Sequence, residues 1–160
     1  MAKTHRPSWP AYFMKIAHAA AERSTCDRKH VGCVLVLENR VIATGYNGSV
    51  PGAPHCDDVG HDMVDGHCVR TIHAEANAVL QAAKNGVATK GSFAYVNTFP
   101  CWRCFSTLVA AGVEKIFYDA EYRKDPRVER VAKELGIDLV RLDLAASRLE
   151  RSLDRLELDR

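Results

Sequence analysis

The 160-residue sequence lacks any apolar run of the roughly 20 residues needed to cross a bilayer, so a membrane-spanning role is not expected. Its first residues, Met1 to Pro7, contain no apolar stretch of the kind an export signal needs. An excess of one charge is missing too. Lys and Arg number 22 against 20 Asp and Glu, and the formal net charge of +2 is too small to argue for nucleic acid or a membrane surface as partner. There is no internal repeat and no low-complexity segment. The 6 cysteines, without an export signal, read as metal ligands or reduced thiols in a cytoplasmic protein and not as a disulfide framework. The length suits one domain with a real core, expected over 1–143 and followed by a charged helical tail over 144–160. From residue 141 onward 5 Arg face 5 Asp plus Glu, so the tail is no basic arm for RNA.

What is present is an alternation of periods. Ser8 reads as an N-cap with Pro10 in the first turn behind it. Trp9, Tyr12, Phe13, Ile16 and Ala20 then recur at helical spacing. The run 31–37 is apolar at both parities, which predicts a strand covered on both faces. Glu38-Asn39-Arg40 is a hairpin turn, and 41–46 is the returning strand. Helices are expected over 73–84, 100–111 and 126–135, and strands over 93–97, 115–119 and 137–142. The order predicts an α/β fold, a three-layer α/β/α sandwich around a five-stranded mixed sheet. Between 49 and 71 lies a long irregular stretch with Pro51, Gly52, Pro54, Gly60 and Gly66, of the kind that is functional or stapled.

Two short segments carry the chemistry. His73-Ala74-Glu75 and Pro100-Cys101-Trp102-Arg103-Cys104 supply one imidazole and two thiolates, ligands of the softness zinc prefers. A structural zinc is closed by four protein ligands, whereas a catalytic one keeps a position open. His73, Cys101 and Cys104 are three. Cys101 and Cys104 share one face of a first helical turn, where a helix N-terminus favours thiolates. Glu75 lies too close to His73 in sequence to be remote from the metal, yet need not bind it. A lone C-x-x-C would suit a redox pair or half a structural site. The joint arrangement, H-x-E followed by P-C-x-x-C, is the known signature of zinc deaminases. Hydrolysis of an amidine needs an activated water, a proton on the ring nitrogen and a proton on the leaving ammonia. Glu75 can move both protons.

The irregular stretch holds a second set of soft ligands. Cys26, Cys56, His61, His67 and Cys68 lie in or beside it. Exposed free thiols would be a liability there. Adjacent side chains rarely reach one ion, so the expected set for a second, structural zinc is Cys26, Cys56, His61 and Cys68, with His67 as the alternate ligand.

These segments, together with Tyr12-Phe13-Met14, Arg23-Ser24-Thr25-Cys26, Gly45-Tyr46-Asn47-Gly48-Ser49 and His67-Cys68-Val69-Arg70-Thr71-Ile72-His73, resemble the cytidine and deoxycytidylate deaminase family, on its deoxycytidylate branch. The resemblance implies hydrolysis of dCMP to dUMP and ammonia, supplying dUMP for thymidylate synthesis. It implies that His73, Cys101 and Cys104 hold zinc and that Glu75 shuttles the proton. It implies further that Asn47 meets the deoxyribose, that the Ala74 N–H holds the pyrimidine carbonyl, and that Tyr122 lies near sugar and phosphate. Arg23 is an expected substrate-binding residue, and Arg23, Arg28, Lys29, Arg70 and Lys124 are all candidates for the phosphate. A homohexamer regulated by dCTP and dTTP, with Mg²⁺ accompanying bound dCTP, is also implied. The competing expectations are a deaminase of another cytosine nucleoside, nucleotide or purine base, and a zinc-stapled binding module without activity.

Overall fold

The structure is a computed structural model, and residues 6–144 are described from it. In chain order the elements are α1 (Trp9–Ala21), β1 (Gly32–Leu37), β2 (Arg40–Tyr46), β3 (Gly48–Ser49), α2 (Cys56–Val59), β4 (Met63–Val64), β5 (His67–Cys68), β6 (Thr71–Ile72), α3 (Ala74–Lys84), β7 (Phe93–Thr98), α4 (Trp102–Ala110), β8 (Lys115–Ala120), α5 (Pro126–Leu135) and β9 (Asp138–Arg141). A five-stranded sheet runs in the order β2-β1-β7-β8-β9. It is mixed: β1 pairs antiparallel with β2 and β7, while β7, β8 and β9 run parallel. The expected tail helix lies over 145–160, outside the described residues, apart from its first position at 144.

Both faces of the sheet are covered, which explains why β1 is apolar at every position. Val34 and Val36 join Phe13, Met14 and Ala17 of α1, with Tyr95 and Phe117, in the core on one face. Cys33 and Leu35 point the other way. They pack with Ala74 and Ala78 of α3, Phe105 and Leu108 of α4, and Val128 and Ala132 of α5. The β1–β2 hairpin turns through Glu38 and Asn39, both at positive φ (49° and 59°), as a two-residue turn matched to strand twist requires.

Two glycines set the distance between sheet and helices. A Cβ on Gly32 would lie 2.0 Å from the Ala17 carbonyl oxygen of α1. A Cβ on Gly45 would lie 2.2 Å from the Ala74 carbonyl oxygen of α3. Only glycine permits such close approach. It seats the start of α3 directly on β2, beside the carboxyl end of β7 where α4 also begins.

The stretch expected to be irregular holds some order. It contains the four-residue α2 and two small ladders, β3 with β6 and β4 with β5. The ladder pairing Gly48 with Ile72 returns the chain to the sheet immediately before His73. Asp65 and Gly66 (φ 49° and 77°) form the turn between β4 and β5.

Candidate active site

His73 and Cys101 occupy equivalent positions. Each is an N-cap in extended conformation whose side chain makes no capping bond. Each carbonyl accepts the first helical bond, from Asn77 (2.8 Å) and Phe105 (2.9 Å) respectively. Their side chains are therefore free for another task, at two helix ends whose partial positive charge favours anionic ligands. His73 Nδ1 lies 3.7 Å from Cys101 Sγ and 3.3 Å from Cys104 Sγ. The three ligand atoms all fall within 4.8 Å of one another. Zinc bonds of about 2.0 Å to nitrogen and 2.3 Å to sulfur, set tetrahedrally, separate N and S by about 3.5 Å. The donor set fits that ion.

The pKa shifts of the thiols and the imidazole fit it as well. The hydrogen bond from Cys104, opposed by burial, brings the Cys101 thiol down to about 4. The bond to Cys101, together with burial, pushes Cys104 up. The pair shares one proton, which a cation binding both sulfurs would displace. The bond with Cys101 raises His73 against the opposing effect of burial. Glu75, next along α3, is 3% exposed. Burial raises its pKa above the usual carboxylate value, although its own backbone and His73 pull the other way. A carboxylate set this way takes up a proton near neutral pH more readily than an exposed one.

A cavity opens above this centre. Its walls include Lys29, Asn47, Ala74, Glu75, Thr98 and Tyr122. Lys29 Nζ donates to Thr98 Oγ1 at 2.8 Å and sits 3.6 Å above the Tyr122 ring. Burial lowers the Lys29 pKa, and the charge on Glu75 partly restores it. Asn47 is buried and spans two backbone groups. Its Oδ1 accepts from the Val31 N–H and its Nδ2 donates to the Lys29 carbonyl, both at 2.8 Å. It thus braces the segment that carries Lys29 while lining the cavity itself.

Of the basic residues expected to meet a phosphate, Arg28 and Lys29 line the cavity and Arg23, Arg70 and Lys124 do not. Arg23 is an exposed residue just past α1. Arg70 is turned to the Gly60 carbonyl at 3.1 Å. Lys124 is committed to Glu121 and Glu129, at 2.9 and 3.2 Å. The structure adds Arg123, which sequence reasoning missed although it follows Tyr122. Its backbone is left-handed (φ 44°), a conformation a bulky residue adopts only where the surroundings enforce it. The available signal was the adjacent aromatic and cation in the loop that ends β8.

The second ligand set also converges. Cys26, Cys56, His61 and Cys68 bring their ligand atoms within 4.8 Å of one another. Cys26 Sγ is 3.6 Å from His61 Nδ1, and Cys56 Sγ is 3.6 Å from Cys68 Sγ. His61 Nε2 faces Asp27 Oδ1 at 3.0 Å, the outer carboxylate that fixes a ligating imidazole in orientation. Strand alternation turns Cys68 inward and leaves His67 exposed. Burial would raise Cys68, but backbone hydrogen bonds at Asp62 and Arg70 outweigh it and bring the thiol down to about 7. Burial and the bonds to Cys68 and Cys26 push Cys56 up to about 12.

A sequence profile of the cytidine and deoxycytidylate deaminase zinc-binding region matches residues 7–120. ComE operon protein 2 of Bacillus subtilis is 43% identical over 139 residues, covering 87% of this chain and 74% of that protein. The deoxycytidylate deaminase of Saccharomyces cerevisiae is 41% identical over 145 residues, covering 86% of this chain and 46% of that enzyme. This chain therefore spans a little under half of the yeast protein. The crystal structure of dCMP deaminase from the cyanophage S-TIM5 in complex with dCMP and dUMP superimposes with a TM-score of 0.74 at 29% identity. That match covers 86% of this chain and 99% of the phage chain.

Proposed function

The chain belongs to the cytidine and deoxycytidylate deaminase family, and from that premise and the geometry of the site we infer that it hydrolyses dCMP to dUMP and ammonia. The observation that carries this reading is the juxtaposition of a three-donor metal set with a buried carboxylate at the floor of a cavity rimmed by cations. His73, Cys101 and Cys104 would hold the catalytic zinc, and as a Lewis acid that ion makes water nucleophilic near neutral pH. Glu75 would take one proton from the attacking water and pass it to the ring nitrogen, then take the second from the hydroxyl newly bonded to the ring carbon and pass it to the departing ammonia. Ala74 offers its N–H, one of the first in α3 and without an intrahelical partner, to the pyrimidine carbonyl. Asn47 meets the deoxyribose and Tyr122 covers it. Arg28, Lys29 and Arg123 face the phosphate at the mouth.

The finer parts of the reading rest on the same residues. Cys26, Cys56, His61 and Cys68 hold a second, structural zinc. Spacings of 3.6 Å support this, since tetrahedral zinc separates its ligand atoms by about 3.5–3.8 Å. The enzyme works as a cytoplasmic homohexamer under dCTP and dTTP control, with Mg²⁺ alongside dCTP, as its kinship suggests. The first 143 residues form the deaminase unit, and the charged tail follows it.

The test is loss of amidine absorbance with dCMP, cytidine and dCTP offered separately, beside a zinc count on the same preparation. Turnover of dCMP in preference to cytidine, with two zinc ions per chain in the wild type and one in Cys26→Ala, is the expected outcome. No turnover of any cytosine compound would overturn the functional reading. A single zinc in the wild type would overturn the second site.

A further inference from the structure

The second ligand cluster does not stand apart from the active site. Cys26 and Cys68 both line the catalytic cavity, as do Gly66 and His67 between the cluster and the mouth. His61 and Cys68 flank the base of the β4–β5 hairpin, where Met63 pairs with Cys68 and Val64 with His67. The turn of that hairpin, Asp65-Gly66, reaches the cavity rim. There the Gly66 carbonyl accepts from two guanidinium groups, Arg28 Nη1 at 3.3 Å and Arg123 Nη1 at 3.5 Å. Arg28 Nη1 also lies 3.1 Å from Met63 Sδ, on the strand leading into the turn. Cys26, the third ligand, precedes Arg28 and Lys29 by two and three residues in sequence.

We propose that the Cys26/Cys56/His61/Cys68 metal site is a positioning element for substrate phosphate: it clamps the β4–β5 turn to the segment carrying Arg28 and Lys29, and so sets the spacing of Arg28 and Arg123. Two guanidinium groups drawn to one carbonyl repel each other, and only a fixed acceptor between them or an anion offsets that. The hairpin has a two-residue turn and strands of two residues each, too short to hold its own shape. Its exposed Met63 and Val64 give it no apolar anchor. Beyond the Val69 N–H bond to the Asp62 carbonyl at its base and the guanidinium contacts themselves, the metal ligands are what fixes it. Without them Gly66 loses its place, and the two arginines lose the geometry that accepts a phosphate.

This inference rests on the reading of the substrate as dCMP and of the cluster as a metal site, and the experiment separates the three. Wild type, Cys56→Ser and Asp27→Ala are compared. Cys56 is a ligand that does not line the cavity, and Asp27 is the exposed outer partner of His61. Loss of that partner weakens metal binding without removing a ligand, which guards against a Cys56 variant that fails to fold. Zinc content, steady-state kinetics with dCMP and with deoxycytidine, and the calorimetric affinity for dUMP are measured on each.

The expected result, in variants reduced to one zinc per chain, is a dCMP KM and a dUMP dissociation constant raised roughly ten- to hundredfold. That is the value of one charge-assisted hydrogen bond. kcat and the kcat/KM for deoxycytidine change far less. Arg28→Gln should give the same pattern with both zinc ions retained. Combining it with Cys56→Ser should add little, because both remove one interaction. Variants that lose the second zinc yet keep the wild-type dCMP KM and dUMP affinity would overturn the proposal. So would equal loss with dCMP and deoxycytidine, the mark of a staple without a positioning role. A wild type inactive on dCMP defeats the substrate reading instead, and a wild type with one zinc defeats the cluster.

Discussion

Glu75 shows how a single side chain acquires a role from its surroundings. It is the second residue of α3, one position beyond the Ala74 N–H and two beyond His73. Buried carboxylates are uncommon, and burial without a cationic partner in direct contact makes the charged form costly. Lys29 and His73 act on it only through their fields. Burial therefore raises the Glu75 pKa, and the field of His73 offsets part of the rise. Glu75→Gln keeps the shape and removes the titration. The expected outcome is a catalytic zinc retained at wild-type stoichiometry and a kcat lower by roughly a hundred- to ten-thousand-fold, the range of a general acid–base step. Zinc analysis and turnover on one preparation check this, and a variant with most of its activity would remove Glu75 from the mechanism.

Elements matter next, because the site is the meeting of two helix starts on one sheet. Gly45 makes the meeting possible. In Gly45→Ala the new Cβ would lie 2.2 Å from Ala74 O and 2.4 Å from Ala78 N. Both are backbone atoms, so the helix itself must move. Overpacking of this kind costs about 1–3 kcal/mol, or about 2–4 °C in Tm per kcal/mol for a chain of this size. Because α3 opens with Ala74 and Glu75, kcat should fall together with Tm. Melting curves and steady-state rates measure the two, and full activity at lowered Tm would show that α3 tilts without disturbing its start. The start of α5 offers a pH test. Asp125 caps it and accepts from the Arg127 N–H at 3.0 Å. The Arg127 guanidinium holds that carboxyl below its usual value. A lowered folded-state pKa stabilises above the unfolded value, and the effect fades as pH falls through the folded value. The Tm difference between wild type and Asp125→Asn at pH 7 should therefore shrink on acidification below about 4.

Legibility in the sequence followed the same division. Period and caps reveal the five large strands and the four long helices, since Ser8, Pro126, Gly112 and Gly136 mark ends by local backbone chemistry. The motif spacing reveals His73, Glu75, Cys101 and Cys104, because one helical turn fixes which of them share a face. Two-residue ladders such as Met63-Val64 with His67-Cys68 leave no period to detect, and 49–71 therefore reads as irregular. Arg123 is absent from the sequence candidates for a related reason. Which loop cation faces the cavity depends on how β8 and the β4–β5 turn approach each other, a tertiary relation that no local pattern encodes.

At the scale of the whole molecule, two kinds of cohesion divide the chain. The sheet, α1, α3, α4 and α5 share two apolar cores. The segment between β3 and β6 shares neither. Its buried residues Cys56 and Cys68 cluster with Cys26 from the α1–β1 connection, while Val50, Val59, Met63, Val64 and Val69 are exposed. Removing metal should therefore act locally. His73, Cys101 and Cys104 sit on helices anchored in the main core by Ala74, Ala78, Phe105 and Leu108, so emptying that site leaves α3 and α4 in place. With the metal proposed for the cysteine cluster removed, only the packing of Cys56 and Cys68 on Cys26 is left to hold 50–70, so binding energy at that site would be folding energy for the segment. Chelated protein should keep the far-ultraviolet dichroism of an α/β fold while its amides over 50–70 exchange quickly and a protease cuts there first. Zinc should restore protection, and on heating the metal-free form should show a single transition, that of the sheet and its helices. If chelation instead unfolds the sheet along with the loop in one step, the cluster belongs to the global core and this division is wrong. If 50–70 stays protected without metal, thiol packing alone holds it.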